Sequence, residues 1–481
     1  MKESRHTPLH TPVGDDELRG VAALLAPDIL NLLDENAESI AIETEEIHPA
    51  DLADIAEALP RERVADLLKA LPADRAADVL EYLNEELRAE VLEAMSTRQA
   101  AELVTQMTPD DRADVLEELE EDRADEILSE IPEQAREETE RLLAYEPESA
   151  GGLMTTEFVS VSEDQRVEDA LAGVRRIARA GRREAMHAIY ATDAEGRVKG
   201  VMSLHELLAA PDGAFVRDIA WEEVVSVAPT ADREEVAHIT QNYDLVAVPV
   251  VDEDHRIVGV VTVDDVIDAL VEEHTEDVQR FGGMEALDEP YTQIGFFSMI
   301  RKRGGWLSIL LVGEMFTATV MKHFEVELSH ALVLTLFIPL IMSSGGNSGS
   351  QATSLIIRAM ALEEIHLRDW WRVALRELPN GVALGVILGI LGVLRVLIWQ
   401  YMGIGGGYGE HYMLVAAVVG FALVGVVTFG SLAGSMLPFV LRRIGFDPAS
   451  ASAPFVATLV DVTALSIYFY VALFFLRGTL L

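Results

Sequence analysis

Residues 338–351 read IPLIMSSGGNSGSQ, so an apolar run gives way to nine residues of serine, glycine, asparagine and glutamine. The run lies in a hydrophobic segment, roughly residues 329–357, that reaches the length of about 20 residues needed to cross a bilayer. Glycine-rich polar backbone at membrane depth is tolerated where it is packed in protein or lines a cavity. The pattern predicts either a helix that is loosened at Pro339 and broken at 343–351, with carbonyls and Asn347 lining a polar path, or close helix packing through small residues.

Four further apolar segments of spanning length lie at about 305–323, 379–400, 412–441 and 454–476. Basic residues flank these five segments on one side: Arg301, Lys302, Arg303, Arg358, Arg368, Arg372, Arg376, Arg442 and Arg443. The opposite loops carry few, chiefly Lys322 and Arg395. The positive-inside rule therefore predicts a multi-pass protein of the cell membrane, surrounded by lipid, with a cytoplasmic N-terminal part and a C-terminus outside.

Asp461 lies within the last of these segments, in the stretch ATLVDVT at 457–463. A carboxylate near the middle of a span costs about 2.5–3.5 kcal/mol to insert, so it is expected to face a water-filled path or a partner. Glu314 lies in the first span and Glu325 at its outer end; each either joins the path or pairs with a Lys or Arg. Oxygen ligands suit a hard cation such as Mg²⁺, which keeps much of its hydration shell.

The charge of the chain is concentrated in its first part. Residues 1–290 hold 71 acidic and 25 basic residues, a net charge of −46, whereas residues 291–481 hold 10 and 12, a net charge of +2. An acidic surface excludes nucleic acid and anionic membrane surfaces as partners and favours cations, although solubility or a halophilic source would also explain it. The chain has no cysteine, and Met1 to Pro12 lack the apolar run of a secretion signal.

Residues 1–145 contain a repeat of twelve residues. Its apolar positions are Ile47, Leu59, Leu71, Leu83, Met95, Met107, Leu119 and Ile131. Prolines at 49, 60, 72, 109 and 132 interrupt any continuous helix. The pattern predicts an all-α domain of short helices stacked into a superhelix, acting either as a scaffold or as a sensor.

Residues 146–271 carry a β-α-β-β-α pattern twice. Strands are expected at 158–161, 188–191 and 198–203, and again at 224–227, 246–251 and 257–262. The order, with Gly-Val before the last helix of each copy, resembles a tandem pair of CBS domains. The resemblance implies a regulatory α/β module; some such modules bind adenosine nucleotides, which makes ATP a candidate ligand.

The segment 272–303 is expected to be a helical linker, followed by the membrane part at 304–481. Asp265, Asp268, Glu272 and Glu276 follow the spacing that places side chains on one helix face. Like charges at about 5 Å repel by roughly 3 kcal/mol at an effective dielectric constant near 20. A divalent cation would relieve this repulsion; the alternative is a solvated acidic helix.

The whole arrangement resembles the MgtE family of magnesium channels. The most specific matches are the stretches 345–351 and 457–463, although Ser350 stands where the family often has Asn. The resemblance implies a homodimer with its pore between the membrane halves, and magnesium uptake that is gated by Mg²⁺. It assigns the pore to Asp461 and Asn347. The residues themselves add Gly345 and Gly346 of the same stretch, and Glu325 at the outer end of the first span, as candidates for the ion path. The resemblance assigns regulatory Mg²⁺ to CBS-side positions Asp244, Asp265 and Asp268 and to Glu276 and Asp277 of the connecting "plug" helix.

Other function classes remain open from the residues alone. The runner-up is a CBS-regulated carrier of another divalent cation, such as Mn²⁺ or Co²⁺. A sensor anchored by its membrane part would not require a buried Asp and a polar stretch inside the spans. An enzyme ranks last, because the chain shows no nucleophile–base set, P-loop or dinucleotide fingerprint.

Overall fold

The computed structural model describes residues 15–179, 186–287, 291, 294–362, 364–403 and 408–479. The first twelve residues, where no secretion signal is expected, lie outside these ranges. The chain divides into two compact units, residues 1–271 and residues 272–481.

Ten helices form the first part of unit one. Their bounds are α1 Asp15–Asn36, α2 Ile40–Glu43, α3 Pro49–Glu57, α4 Arg61–Ala70, α5 Ala73–Glu81, α6 Glu85–Ala94, α7 Thr97–Val104, α8 Pro109–Glu117, α9 Glu121–Glu130 and α10 Glu133–Leu142. The twelve-residue repeat is confirmed, because from α3 onward each period gives one helix of two to three turns. Leu59, Leu71 and Leu83 are buried between successive helices. Each helix is too short to be stable alone, so burial against its neighbours supplies the stability.

Arginines tie distant turns of this stack together. Arg75 of α5 donates to the carbonyl of Glu45 at 3.1 Å. Arg123 of α9 donates to the carbonyls of Leu92 at 2.8 Å and Met95 at 2.7 Å. A guanidinium has five donors and can satisfy several carbonyls at a helix end, so these contacts fix the superhelical spacing.

The CBS pair follows, with strands β1 Val159–Ser162, β2 Ile189–Thr192, β3 Val198–Met202, β4 Ala247–Val251 and β5 Ile257–Thr262. Its helices are α11 Val167–Arg179, α12 Leu204–Ala209, α13 Arg233–Tyr243 and α14 Val263–Phe281. Strand β2 pairs in parallel with β1 and antiparallel with β3, and β4 pairs antiparallel with β5. The strand expected at 224–227 is wrong: there Val227 makes an isolated parallel bridge to Val250. Proline at 229 and the turn after it end the pairing early.

The single helical linker expected over 272–303 is also wrong. Helix α14 begins inside the CBS pair at Val263 and ends at Phe281. Gly283 follows with φ of 78°, a left-handed conformation that ends helices. The next helix, α15 Phe296–His323, begins seven residues before the end expected for the linker.

Five helices of unit two are long and apolar enough to cross a membrane, at Phe296–His323, Leu332–Ala361, Leu367–Met402, Tyr412–Arg443 and Ala453–Leu476. They contain α15, then α17 Ile338–Ala361, α18 Trp370–Met402, α19 Tyr412–Arg443 and α20 Ala453–Leu476; the short helix α16 Glu325–His330 follows α15. The five predicted spans are thereby confirmed, although the third begins twelve residues and the first nine residues earlier than expected.

The helix break expected in the second span is wrong. Helix α17 runs without interruption through Gly345 and Gly346, and Pro339 stands in its first turn, where proline removes no hydrogen bond. The glycines serve close packing instead. A Cβ on Gly434 of α19 would lie 2.1 Å from the carbonyl oxygen of Gly349, and one on Gly430 would lie 2.4 Å from that of Gly345. Backbone of α17 thus rests directly on α19.

Candidate ion path and cation sites

Asp461 lies in α20 where this helix meets the glycine stretch of α17. The side chain is half-buried, and its Oδ1 is 3.9 Å from the position that a Cβ on Gly346 would take. Gly345, one residue earlier, packs against Val426 and Val460. The missing side chain at Gly346 therefore leaves room beside the Asp461 carboxylate.

Asn347 is exposed on the same turn of α17, and its side-chain amide lies 3.4 Å from the Ser343 hydroxyl. Ser350 donates to the carbonyl of Ala453 at 3.2 Å, which ties α17 to the first turn of α20. The Ser350 hydroxyl thus joins two helices. The Asn347 side chain instead contacts Ser343 of its own helix and is exposed, so it can face a neighbouring molecule or an aqueous path.

The two glutamates of the first span separate in the structure. Glu314 is half-buried in α15, next to Gly313, where an added Cβ would lie 2.8 Å from Cγ2 of Thr458 in α20. Glu325 begins α16, past the C-terminal end of α15, and is exposed. At a rise of about 1.5 Å per residue, Glu325 lies roughly 16 Å beyond Glu314 along the chain. The structure therefore places Glu314, and not Glu325, beside the central carboxylate.

A cluster of carboxylates lies between α8 and α14 within unit one. Asp110, Asp111 and Asp114 of α8 interact electrostatically with each other, and Asp110 and Asp111 also with Asp265 of α14. Asp110 is only 7% exposed, and its Oδ1 has no hydrogen-bond partner. A buried carboxylate oxygen without a donor is costly, so it needs a proton or a cation nearby.

The titration of this cluster reflects the same cost. Burial, and then the neighbouring carboxylates, raise the pKa of Asp265 to about 8. The same two causes raise the pKa of Asp110 to about 6. Burial also raises the pKa of Asp268, with Asp264 as the second cause. The cluster therefore favours protons or cations.

A second acidic group lies at the C-terminal end of α14, within unit two. Arg280 pairs with Glu276 at 2.6 Å and with Asp447 at 2.8 Å. Burial, and then the charges of Asp447 and Glu273, raise the pKa of Asp277 to about 6. The Arg280 guanidinium thus neutralises part of the negative charge of this group, whose carboxylates otherwise repel each other.

Asp244, the remaining predicted ligand, caps the end of α13 in a left-handed conformation with φ of 51° and is exposed. Asp110, Asp111 and Asp114 were not predicted. Across the described ranges, no set of three or more His, Cys, Asp or Glu side chains is arranged to enclose a metal ion.

The first CBS domain contains a cavity of about 370 Å³. Its lining includes both charge types, with Lys199 and Arg217 against Glu163 and Glu222. The two cations offer donors that a phosphate oxygen could accept from.

Family models match most of the chain. The MgtE intracellular N domain matches residues 47–148, the CBS domain matches 150–213 and 216–272, and MgtE, described as a divalent cation transporter, matches 338–471. The magnesium transporter MgtE of Thermus thermophilus is 43% identical over 70% of this chain and 72% of its own length. That of Enterococcus faecalis is 35% identical over 71% and 72%.

One solved structure similar to this chain is the cytosolic domain of the Mg²⁺ channel MgtE in complex with ATP. It is 38% identical and covers 51% of this chain and 99% of its own, with a TM-score of 0.48. The soluble part of a magnesium transporter is 30% identical over 54% and 98%, with a TM-score of 0.47. On its matched domains and its full-length relatives, the chain belongs to the MgtE family of divalent cation transporters.

Proposed function

We propose that this protein carries Mg²⁺ into the cell along a path that contains Asp461. The observation that supports this most directly is the Asp461 carboxylate, half-buried at membrane depth beside the unfilled space at Gly346. A carboxylate in that position attracts a cation, and the adjoining helix offers Asn347 as a polar neighbour. The exposed side of α17 that bears Asn347 fits a path completed by a second copy of the chain, so the proposal includes a homodimer.

The cytoplasmic regulation is proposed from the two carboxylate groups on α14. A cation between Asp265 and α8 removes repulsion and favours the compact arrangement of the helical domain on the CBS pair. Helix α14 is continuous from this cluster to the group around Glu276 and Asp277, so a cation at either end acts on the same element. Cytosolic Mg²⁺ then closes the path by binding one state more tightly than the other.

The orientation that this regulation requires places residues 1–271 in the cytoplasm and the C-terminus outside, as the basic flanks predict. ATP is proposed as a second cytoplasmic ligand, bound in the cavity beside Lys199 and Arg217. A nucleotide there would report on energy state to the same helix, because the CBS pair leads directly into α14.

Transport is tested with Asp461→Asn in full-length protein reconstituted into liposomes that contain a Mg²⁺-sensitive dye. We expect the wild type to admit Mg²⁺ and the variant to lose at least about 90% of the initial rate, because the amide keeps the size but removes the charge. Glu377→Gln, which changes a glutamate of α18, is the matched control and is expected to conduct normally.

The same liposomes distinguish the alternative cargo. Flux of Mn²⁺ or Co²⁺ at a rate well above that of Mg²⁺ would favour a carrier of another divalent cation. Undiminished Mg²⁺ flux through Asp461→Asn would remove this carboxylate from the path.

A further inference from the structure

The first and last membrane helices bring two carboxylates to the same depth. Helix α15 packs against α20, with Trp306 edge-on to Phe455 at 6.4 Å between ring centroids. Further along, a Cβ on Gly313 would lie 2.8 Å from Cγ2 of Thr458. Trp306 precedes Gly313 in α15, and Phe455 precedes Thr458 in α20. The two contacts therefore follow the same order along both helices, so the helices run parallel.

This register fixes the relative height of Glu314 and Asp461. Glu314 lies one residue beyond Gly313, about 1.5 Å along its helix, and Asp461 lies three residues beyond Thr458, about 4.5 Å along its own. The backbone positions of Glu314 and Asp461 therefore differ by only about 3 Å in depth.

Glu314 and Asp461 lack a positively charged partner in the described part of the chain. Within the part of the chain that the structure describes, no Lys, Arg or His forms an ion pair with Glu314 or Asp461. In α15 the nearest cationic side chains are Arg303 and Lys322, which stand eleven residues before and eight residues after Glu314. Two half-buried acidic groups without a partner are costly at membrane depth, and a shared cation removes that cost.

We propose that Glu314 is a second carboxylate of the ion path, which holds a hydrated divalent cation together with Asp461. This inference rests on the proposed transport function. Asp461 receives the ion from α20, and Glu314 adds charge from α15, next to the close Gly313–Thr458 contact. The pair favours a divalent over a monovalent cation, because two negative charges interact with each unit of ion charge.

The test is Mg²⁺ flux into liposomes through the full-length protein as a function of external Mg²⁺. A unit charge about 6 Å from a divalent ion in water-like surroundings changes its binding about tenfold. We therefore expect Glu314→Gln to raise the half-saturating Mg²⁺ concentration by about tenfold. Glu314→Asp keeps the charge and should stay within about threefold of the wild type.

Glu377→Gln again serves as the control, since it removes a carboxylate from a membrane helix that does not contain this pair. Elution as a single species and an unchanged melting temperature show that a variant is folded; a misfolded Gln variant is replaced by Glu314→Ser in the same assay. If the wild type conducts but the folded Glu314→Gln or Glu314→Ser variant keeps its half-saturating Mg²⁺ concentration, this inference is wrong. If the wild type itself admits no Mg²⁺, the transport proposal has failed instead.

Discussion

Asp265 shows at the scale of one residue how burial and charge set pH dependence. Its pKa in the folded protein is raised to about 8, whereas an unfolded Asp titrates near 4. Between these values the folded state binds more protons than the unfolded state, so stability falls as pH rises from about 4 to about 8. Asp265→Asn should remove part of this fall and be more stable than the wild type at pH 8 in EDTA.

Pulse proteolysis of the full-length protein in urea, between pH 5 and pH 8.5, measures the effect on residues 1–271. The control is Asp74→Asn, at an exposed position of the same unit, which should keep the wild-type pH dependence. An Asp265→Asn variant that follows the wild type at every pH would show that this carboxyl group is already ionised in the folded protein at neutral pH.

The sequence identifies some of these residues and hides others for a physical reason. Asp461 is detectable because a carboxylate inside an apolar span is rare. Asp110 and Asp114 are not detectable, because the repeat places acidic residues at the corresponding positions of the next unit, Asp122 and Glu126. Asp110 is buried only because α8 packs near α14, and these two helices are distant in the sequence.

At the scale of whole elements, the α17–α19 contact depends on a few glycines. A Cβ on Gly434 would lie 2.1 Å from the Gly349 carbonyl oxygen, which is backbone and cannot swing aside. Alanine gains about 1 kcal/mol over glycine in helix propensity, but overpacking costs typically about 1–3 kcal/mol. Because separating the two backbones also opens the neighbouring contacts, we expect the packing cost to win.

Gly434→Ala should therefore lower the melting temperature of the detergent-solubilised protein, followed by the loss of monodisperse protein on heating. Gly304→Ala is the matched control: no atom lies within 4 Å of its added Cβ, so it should be neutral or slightly stabilising. An equal or higher melting temperature for Gly434→Ala would mean that α17 and α19 are farther apart than the structure has them.

Helix α14 illustrates which element boundaries can be predicted. The acidic face of 265–276 was predicted from its spacing, whereas the end of the helix at Phe281 was missed. The signal is present in the sequence, since Gly282 and Gly283 follow Arg280 and Phe281, and glycine after a basic last turn is a typical helix end. The acidic run thus indicates the face of the helix, whereas the two glycines indicate its end.

At the scale of the whole molecule, the charge division separates two effects of Mg²⁺. A net charge of −46 over residues 1–290 is screened by any salt, whereas a cation in the cluster between α8 and α14 binds at defined carboxylates. Screening depends on ionic strength alone. Binding at the site instead raises the free energy of unfolding by RT ln(1 + [Mg²⁺]/Kd). This is about 2.7 kcal/mol when the Mg²⁺ concentration is one hundred times Kd.

These two effects can be told apart in the full-length protein by comparing MgCl₂ with NaCl at equal ionic strength. We expect millimolar Mg²⁺ to raise the urea midpoint of residues 1–271 beyond the effect of Na⁺ in the wild type. The triple variant Asp110→Asn, Asp114→Asn and Asp265→Asn should keep the common screening effect and lose the Mg²⁺-specific part. If the triple variant keeps that part in full, the ion acts elsewhere on the acidic surface, and the α8–α14 cluster is not the sensor.

Loss of that part together with unaltered Mg²⁺ flux at high internal Mg²⁺ would separate binding from gating, because an ion controls the path only through a difference in affinity between open and closed states.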